Sequence, residues 1–169
     1  MRFNIELFKI EEYKDGYKYG DLDYTCDITS IPVNNKYFHV ILCTEVFEHL
    51  PDPELAIKEF NRILKSNGEL ILTVPSNCLR HMDPYFFYSG FSDNWLRQKL
   101  KENNFIVKEL NTIGDYYSWI SYELYRTLKG NILFFPFILP SFIFFLLKRK
   151  SKASSNTLCK AYFIYAKKK

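Results

Sequence analysis

The sequence predicts an α/β fold with a mostly parallel sheet, and three observations carry that prediction. Short apolar, β-branched runs at 37–43 (YFHVILC), 70–74 (LILTV) and 105–110 (FIVKEL) have the length and composition of strands. Helical patterns at 53–64 and 93–103 separate them, and strands alternating with helices mean parallel pairing. Acids and a histidine gather just after the first run, in Thr44-Glu45-Val46-Phe47-Glu48-His49. Open α/β sheets bind ligands outside the carboxyl ends of their strands, so the polar cluster sits where chemistry is expected.

Taken in order, residues 3–10 (FNIELFKI) read as a first strand and 11–21 as a polar connection. Residues 23–31 carry β-formers that end at Asp27, with Pro32 closing the run. The 37–43 strand is expected to be buried on both faces. Asp52 is the expected N-cap of the next helix and Pro53 its first residue, since a first-turn N–H needs no partner in the helix. Lys65-Ser66-Asn67-Gly68 ends it, with Gly68 expected at positive φ. Pro75 stops the 70–74 strand. Ser92 caps a helix over 93–103 that buries Trp95, Leu96 and Leu100. Residues 116–128 form an amphipathic aromatic helix, 151–157 (SKASSNT) a polar linker, and 158–166 the last strand.

The chain has 169 residues and a mass of 20.2 kDa, which suits one domain over 1–169 with 116–150 as a helical insertion before the last strand. Hydrophobic residues at 47% and charged residues at 25% describe a globular chain. The net charge of +4 comes mainly from 148–152 and the final Lys-Lys-Lys, too terminal to suggest nucleic acid. Four cysteines without a C-x-x-C pair, behind a charged N-terminus, predict free thiols in a cytoplasmic protein.

Residues 132–147 (ILFFPFILPSFIFFLL) carry no charge and lie between Lys129 and Lys148-Arg149-Lys150. Sixteen residues with two prolines are short for a membrane span, and a crossing would part the last strand from its sheet. Two expectations stand: a helical hairpin dipping into the membrane interface, or a lid or dimer-forming helix pair on 116–128.

Glu45, Glu48 and His49 fall at i, i+3 and i+4, so a helical turn would align them for a divalent cation. The plainer alternative has Glu48 and His49 capping and orienting the loop before Pro51. His81 lies beyond the strand that ends at Pro75, where it would serve as a general base. Its alternative is packing against Tyr85 or Phe86.

The motifs F-x-V-I-x-C-x-E-V-x-E-H at 38–49, L-P-D-P at 50–53 and L-K-x-x-G-x-L-I-L-T-V-P at 64–75 resemble class I S-adenosylmethionine-dependent methyltransferases, nearest the type 11 group. Asp27-Ile28 with Ile31-Pro32 resembles that family's D-I-x-x-[IL]-P element, and the likeness covers roughly 20–110 plus the last strand. The resemblance implies a Rossmann-like sheet of about seven strands whose 105–110 and 158–166 strands pair antiparallel at the end. It also implies S-adenosylmethionine as cofactor, a small-molecule acceptor, and an in-line displacement at the sulfonium; an apolar 132–147 stretch that touches membrane would make that acceptor lipid-linked or a glycan. By resemblance Asp27 accepts from the adenine amino group, the Ile28 N–H meets the ring, and backbone at Cys43, Thr44 and Glu45 faces the methionine portion. The E-x-x-E-H spacing is similar to the metal-binding segment of ubiquinone-pathway O-methyltransferases.

The chain departs from the family in having no G-x-G; its glycines stand apart at 16, 20, 68, 90, 114 and 130. A strand–helix–strand unit takes about 30 residues, more than precede Asp27. His39 stands where the family has Asp, Ser66-Asn67 where it has Pro-Gly, and Lys9 where a ribose-binding acid would be sought before Glu11 or Glu12. The expectation is a domain without its first strand and glycine loop, with the flank of 37–43 exposed. It would be a truncated product or would need a homo-oligomer or complementing chain. The alternative functions are a non-catalytic remnant or binding module, a nicotinamide-dependent enzyme, and a membrane-associated scaffold.

Overall fold

A computed structural model of the chain describes residues 23–130, 132–148 and 151–169. The strand expected at 3–10 and any glycine loop ahead of Asp27 lie outside the described residues. Four strands form one sheet: β1 (Phe38–Thr44), β2 (Leu64–Pro75), β3 (Phe105–Ile113) and β4 (Ala161–Lys168), in the order β1-β2-β4-β3. β1 and β2 are parallel, and β4 lies antiparallel between β2 and β3. This is the antiparallel ending that the family resemblance implies, with the last strand inserted rather than added at the edge.

Helices α1 (Pro53–Ile63) and α2 (Asp93–Glu102) pack on one face of this sheet. Asp52 accepts from the Glu54 N–H and Ser92 from the Trp95 N–H, so both expected caps form. Their apolar faces (Ala56, Ile57, Phe60; Leu96, Leu100) meet Leu70, Leu72, Val74, Ile164 and Ala166 in the core. Trp95 is only half-buried. The other face of the sheet is open at β1, where Leu42 is 69% and Val40 48% exposed. The expectation of burial on both faces therefore fails: among the described residues β1 pairs only with β2 and carries one covered face.

Three further expectations are corrected. Residues 23–31 form no ladder; Asp27 instead accepts from the Thr29 N–H and hydroxyl, and Ser30 N–H closes a turn onto the Asp27 carbonyl. Asn67, not Gly68, holds the left-handed conformation, with φ of 61°. Gly68 is needed for space instead, because a Cβ there would lie 2.8 Å from the Lys65 carbonyl oxygen and 3.2 Å from that of His39. Leu64 both caps α1 and opens β2, so no separate linker exists.

The C-terminal third adds α3 (Tyr116–Gly130), a 3-10 turn (Ile132–Phe134), α4 (Phe135–Leu147) and α5 (Lys152–Thr157). The expected linker is thus a short helix: Ser151 and Ser154 close a capping box, and β4 starts only at Ala161. Asp115 caps α3 by accepting from the Ser118 N–H, and its second oxygen accepts from the Ser154 hydroxyl at 2.8 Å, which fastens α5 to α3. Residues 132–147 form one helix after a turn, not a hairpin. Pro136 falls in its first turn, where proline is tolerated, and the helix continues through Pro140. No helix among the described residues is long and apolar enough to cross a membrane.

A partly buried ion pair holds the 27–36 segment to α1. Arg62 donates to both oxygens of Glu59 at 2.6 and 2.7 Å, and to the carbonyls of Ile31 and Val33. Glu59 in turn accepts the Ile31 N–H at 2.7 Å. Burial pushes the Glu59 carboxyl up, but the Arg62 and Ile31 donors outweigh it and hold the group below the usual carboxylate range. We expect Glu59→Ala to lose about 2 kcal/mol by chemical denaturation, less than for a fully buried pair because the Arg62 side chain is 33% exposed. Glu59→Gln, which keeps an acceptor for the Ile31 N–H, should lose less.

Candidate functional site

β1 ends at Thr44, and the chain then turns sharply. Glu45 takes a φ of 51°, uncommon for a side-chain-bearing residue, while its N–H continues the ladder to the Thr73 carbonyl. A 3-10 turn, Phe47–His49, follows. Phe47 is fully buried against Phe60 and Phe91, and this apolar plug pulls its neighbours Glu48 and His49 out of solvent.

Beyond β2 the chain makes an excursion over 76–91 whose ends close on each other. Phe91 N–H donates to the Pro75 carbonyl and Cys78 N–H to that of Ser89. Gly90 permits this closure: its φ is 149°, and a Cβ would sit 2.2 Å from the Ser76 carbonyl oxygen. The tip is tied to the 3-10 turn, where the Glu48 carbonyl accepts from the Phe87 and Tyr88 N–H groups. That docking brings His81 beside His49, ring centroids 4.9 Å apart.

The result is a cleft of about 620 Å³ outside the carboxyl ends of β1 and β2. Glu45, Glu48, His49 and His81 line it, together with Arg126 of α3 and Lys160, just before β4. One ligand atom each from Glu48, His49 and His81 lies within 4.8 Å of the others. Glu45 lines the cleft outside this triple, because its left-handed backbone and the following 3-10 turn replace the α-helical turn that would have aligned it. His81 is thus a member of the cluster that sequence spacing did not reveal, since thirty-odd residues and a loop closure separate it from His49.

Burial dominates the cluster's electrostatics. Glu48 is 2% exposed, its Oε2 has no hydrogen-bond partner, and its carboxyl is pushed up to about 7. Burial is the main cause and the nearby Glu45 adds to it. His49 is held below the usual imidazole range, also by burial. Its Nδ1 lies 2.7 Å from the Tyr85 carbonyl oxygen, which assigns the proton there and leaves Nε2, 3.7 Å from Glu48 Oε1, as an acceptor. His81 Nδ1 similarly meets the Leu79 carbonyl at 2.8 Å, leaving its Nε2 as an acceptor. His49 tethers the 85–88 loop and not the stretch before Pro51, while His81 rests against Phe86 at 5.4 Å, as its packing alternative has it.

The donor-binding set from the resemblance lies partly beside the cleft. Glu45 lines it, whereas Asp27, Ile28, Cys43 and Thr44 do not. Asp27 is exposed, and only its Oδ1 is engaged by Thr29, so Oδ2 has no hydrogen bond among the described residues. The Ile28 side chain is fully buried, so only backbone there can meet a ligand. Cys43 is buried with its thiol pushed up to about 12 by burial and by Glu48 and Glu45, which makes it a packing group and not a nucleophile. These features fit the adenosyl half of S-adenosylmethionine. Cys26, Cys43, Cys78 and Cys159 are all free thiols.

Residues 6–72 match the family described as Methyltransferase domain, so the likeness begins ahead of residue 20. A ubiquinone biosynthesis O-methyltransferase from Pelagibacter ubique is 32% identical over 77 residues, which cover 46% of this chain and 31% of that one. The chain thus matches about a third of the length of that curated relative. Among solved structures, phosphoethanolamine N-methyltransferase 2 of Haemonchus contortus, in complex with S-adenosyl-L-methionine, superposes with a TM-score of 0.53 at 15% identity, covering 85% of this chain and 36% of that one. The [4+2]-cyclase SpnF superposes at 0.51 and 17% identity, over 87% and 56% of the two chains. Residues 6–72 are thus similar to a methyltransferase domain, and the described residues share the Rossmann-like fold of these solved structures.

The buried Glu48 has a consequence for stability. Its folded pKa lies above the ordinary value of 4.5, so ionisation opposes folding. The wild type is then relatively most stable below about 4.5 and loses stability as pH rises towards 7, by an amount on the order of 3 kcal/mol. Glu48→Gln should therefore melt higher than wild type above pH 7, with the gap closing as pH falls below about 4.5. Melting curves across that range check it.

Proposed function

We propose that this domain transfers a methyl group from S-adenosylmethionine to a small-molecule acceptor held in the cleft that Glu48, His49, His81, Arg126 and Lys160 line. The observation that carries this reading is the convergence of a buried carboxyl and two Nε2 acceptors outside the carboxyl ends of β1 and β2. That is where a doubly wound sheet presents its ligands. Asp27 and the Ile28 and Cys43–Glu45 backbone would hold the donor, and S-adenosylmethionine supplies the activated methyl group.

The chain's own part is to place the acceptor in line with the methyl–sulfur bond and to take up its proton. The new bond forms from the acceptor oxygen or nitrogen to the methyl carbon. His81 Nε2 would take the acceptor proton, while the leaving sulfur would keep the electron pair of the methyl–sulfur bond. The groove between α3 and α4 shares Tyr122 and Lys160 with the cleft and is lined by Phe142, Phe145 and Leu146. An apolar groove running into the cleft favours a lipid-linked acceptor over a glycan.

A second reading shares the same atoms. Both histidines spend Nδ1 on a backbone carbonyl, and Glu48 Oε2 has no partner, an arrangement that suits a divalent cation bound by Glu48, His49 and His81. The cation would supply Lewis acidity towards an acceptor oxygen.

One experiment separates these readings and tests both. Transfer of labelled methyl from S-adenosylmethionine into a cell lipid extract should fall about 100-fold in His81→Ala, with S-adenosylhomocysteine affinity unchanged. Chelation should leave transfer intact if His81 acts as the base and abolish it if a cation acts. Full transfer by His81→Ala after chelation would overturn both.

A further inference from the structure

We infer that the Ile132–Phe134 turn and α4 dock this domain on the surface of an anionic lipid bilayer. Apart from Ser141, every residue of α4 is apolar or proline, and none of them is buried. Leu133 and Phe137 are each 78% exposed and Leu147 75%. A helix that packs against a protein core shows one apolar stripe and one polar face. α4 instead is apolar around its circumference and meets α3 along one side only, through contacts such as Phe145 stacked on Tyr117 at 6.2 Å. Its remaining sides require apolar surroundings that the rest of the described residues do not provide.

Charge chooses the occupant. After Glu123 the sequence contains no acidic residue, whereas Arg126, Lys129, Lys148, Arg149, Lys150 and Lys152 bracket the apolar stretch on both sides. A second copy laid on this face would bring the same cations against each other. An anionic headgroup layer satisfies both halves of the pattern at once, apolar side chains below and cations among the headgroups. Length fixes the depth: the 13 residues of α4 extend about 20 Å, short of the roughly 30 Å hydrocarbon core. The helix therefore lies in the interface and does not span. Lys148 already bridges the two environments, its Nζ 5.5 Å from the Phe144 ring and 5.9 Å from that of Tyr117.

Docking deepens the lipid-linked reading of the acceptor, because the α3–α4 groove then opens towards the bilayer and runs to the cleft through Tyr122 and Lys160. The geometry of the docking face does not depend on that reading. Flotation with vesicles needs no donor or acceptor, so failure of the docking and failure of methyl transfer register separately.

The test is flotation of the full chain with vesicles of neutral phosphatidylcholine alone or with 30% phosphatidylserine (roughly the composition that sustains an anionic surface potential). Wild type should float with the anionic vesicles and largely stay behind with the neutral ones. Phe137→Glu/Leu147→Glu should bind the anionic vesicles about tenfold more weakly, as should Lys148→Glu/Lys152→Glu. All four positions are exposed, and an unchanged circular dichroism melt confirms that each variant folds. Equal flotation by wild type and both variants, or none by wild type, overturns the proposal. So does a lipid-free dimer that the Phe137→Glu/Leu147→Glu change dissolves, which would make the face an interface between copies.

Discussion

The site depends on one constraint: Glu48 is kept out of water. Phe47 goes into the core against Phe60 and Phe91, and Glu48, the next residue of the same 3-10 turn, is buried beside it. A carboxyl held there is pushed up to about 7. A stable fold would gain from an apolar residue at this position. Instead the backbone carbonyl of the same residue anchors the 76–91 excursion, so its main chain positions the loop while its side chain remains unsatisfied. Buried groups with displaced pKa values concentrate at functional sites, and this one lines the cleft at the strand ends.

Around that constraint the fold divides into a rigid half and an open half. α1, α2 and the covered face of the sheet form a continuous apolar core, and the Glu59–Arg62 pair extends it to the 27–36 segment that carries Asp27 and Ile28. The residues proposed to hold the donor are therefore fixed by the core. The side proposed for the acceptor is built from α3 and the groove between α3 and α4, and α5 is fastened to α3 by polar locks such as Asp115 with Ser118 and Ser154. Fold alone does not decide the chemistry, since a methyltransferase and a cyclase share this architecture.

Much of the fold was legible in the sequence because its signals are local. Asp52 and Ser92 announce their helices by capping, Pro53 by its missing N–H, and the 37–43 and 70–74 runs by continuous apolarity. What was not legible depends on contacts distant in sequence. The open face of β1 is a property of which strands flank it, not of Val40 or Leu42. The Ser151–Ser154 capping box hides in a segment whose composition reads as a linker. Asn67 took the left-handed position because Gly68 is occupied with a steric task against His39, one strand away. In the cluster, Glu48 and His49 are adjacent in sequence and were found by spacing. His81 joins them only through closure of a loop on Gly90.

A crystal structure of the chain with S-adenosylhomocysteine tests the central claim most directly. Adenine should lie beside Asp27 and the Ile28 backbone, with the sulfur at the carboxyl end of β1 by Thr44 and Glu45, open to the cleft that holds His81. A ligand bound elsewhere, or a sulfur walled off from that cleft, would contradict it.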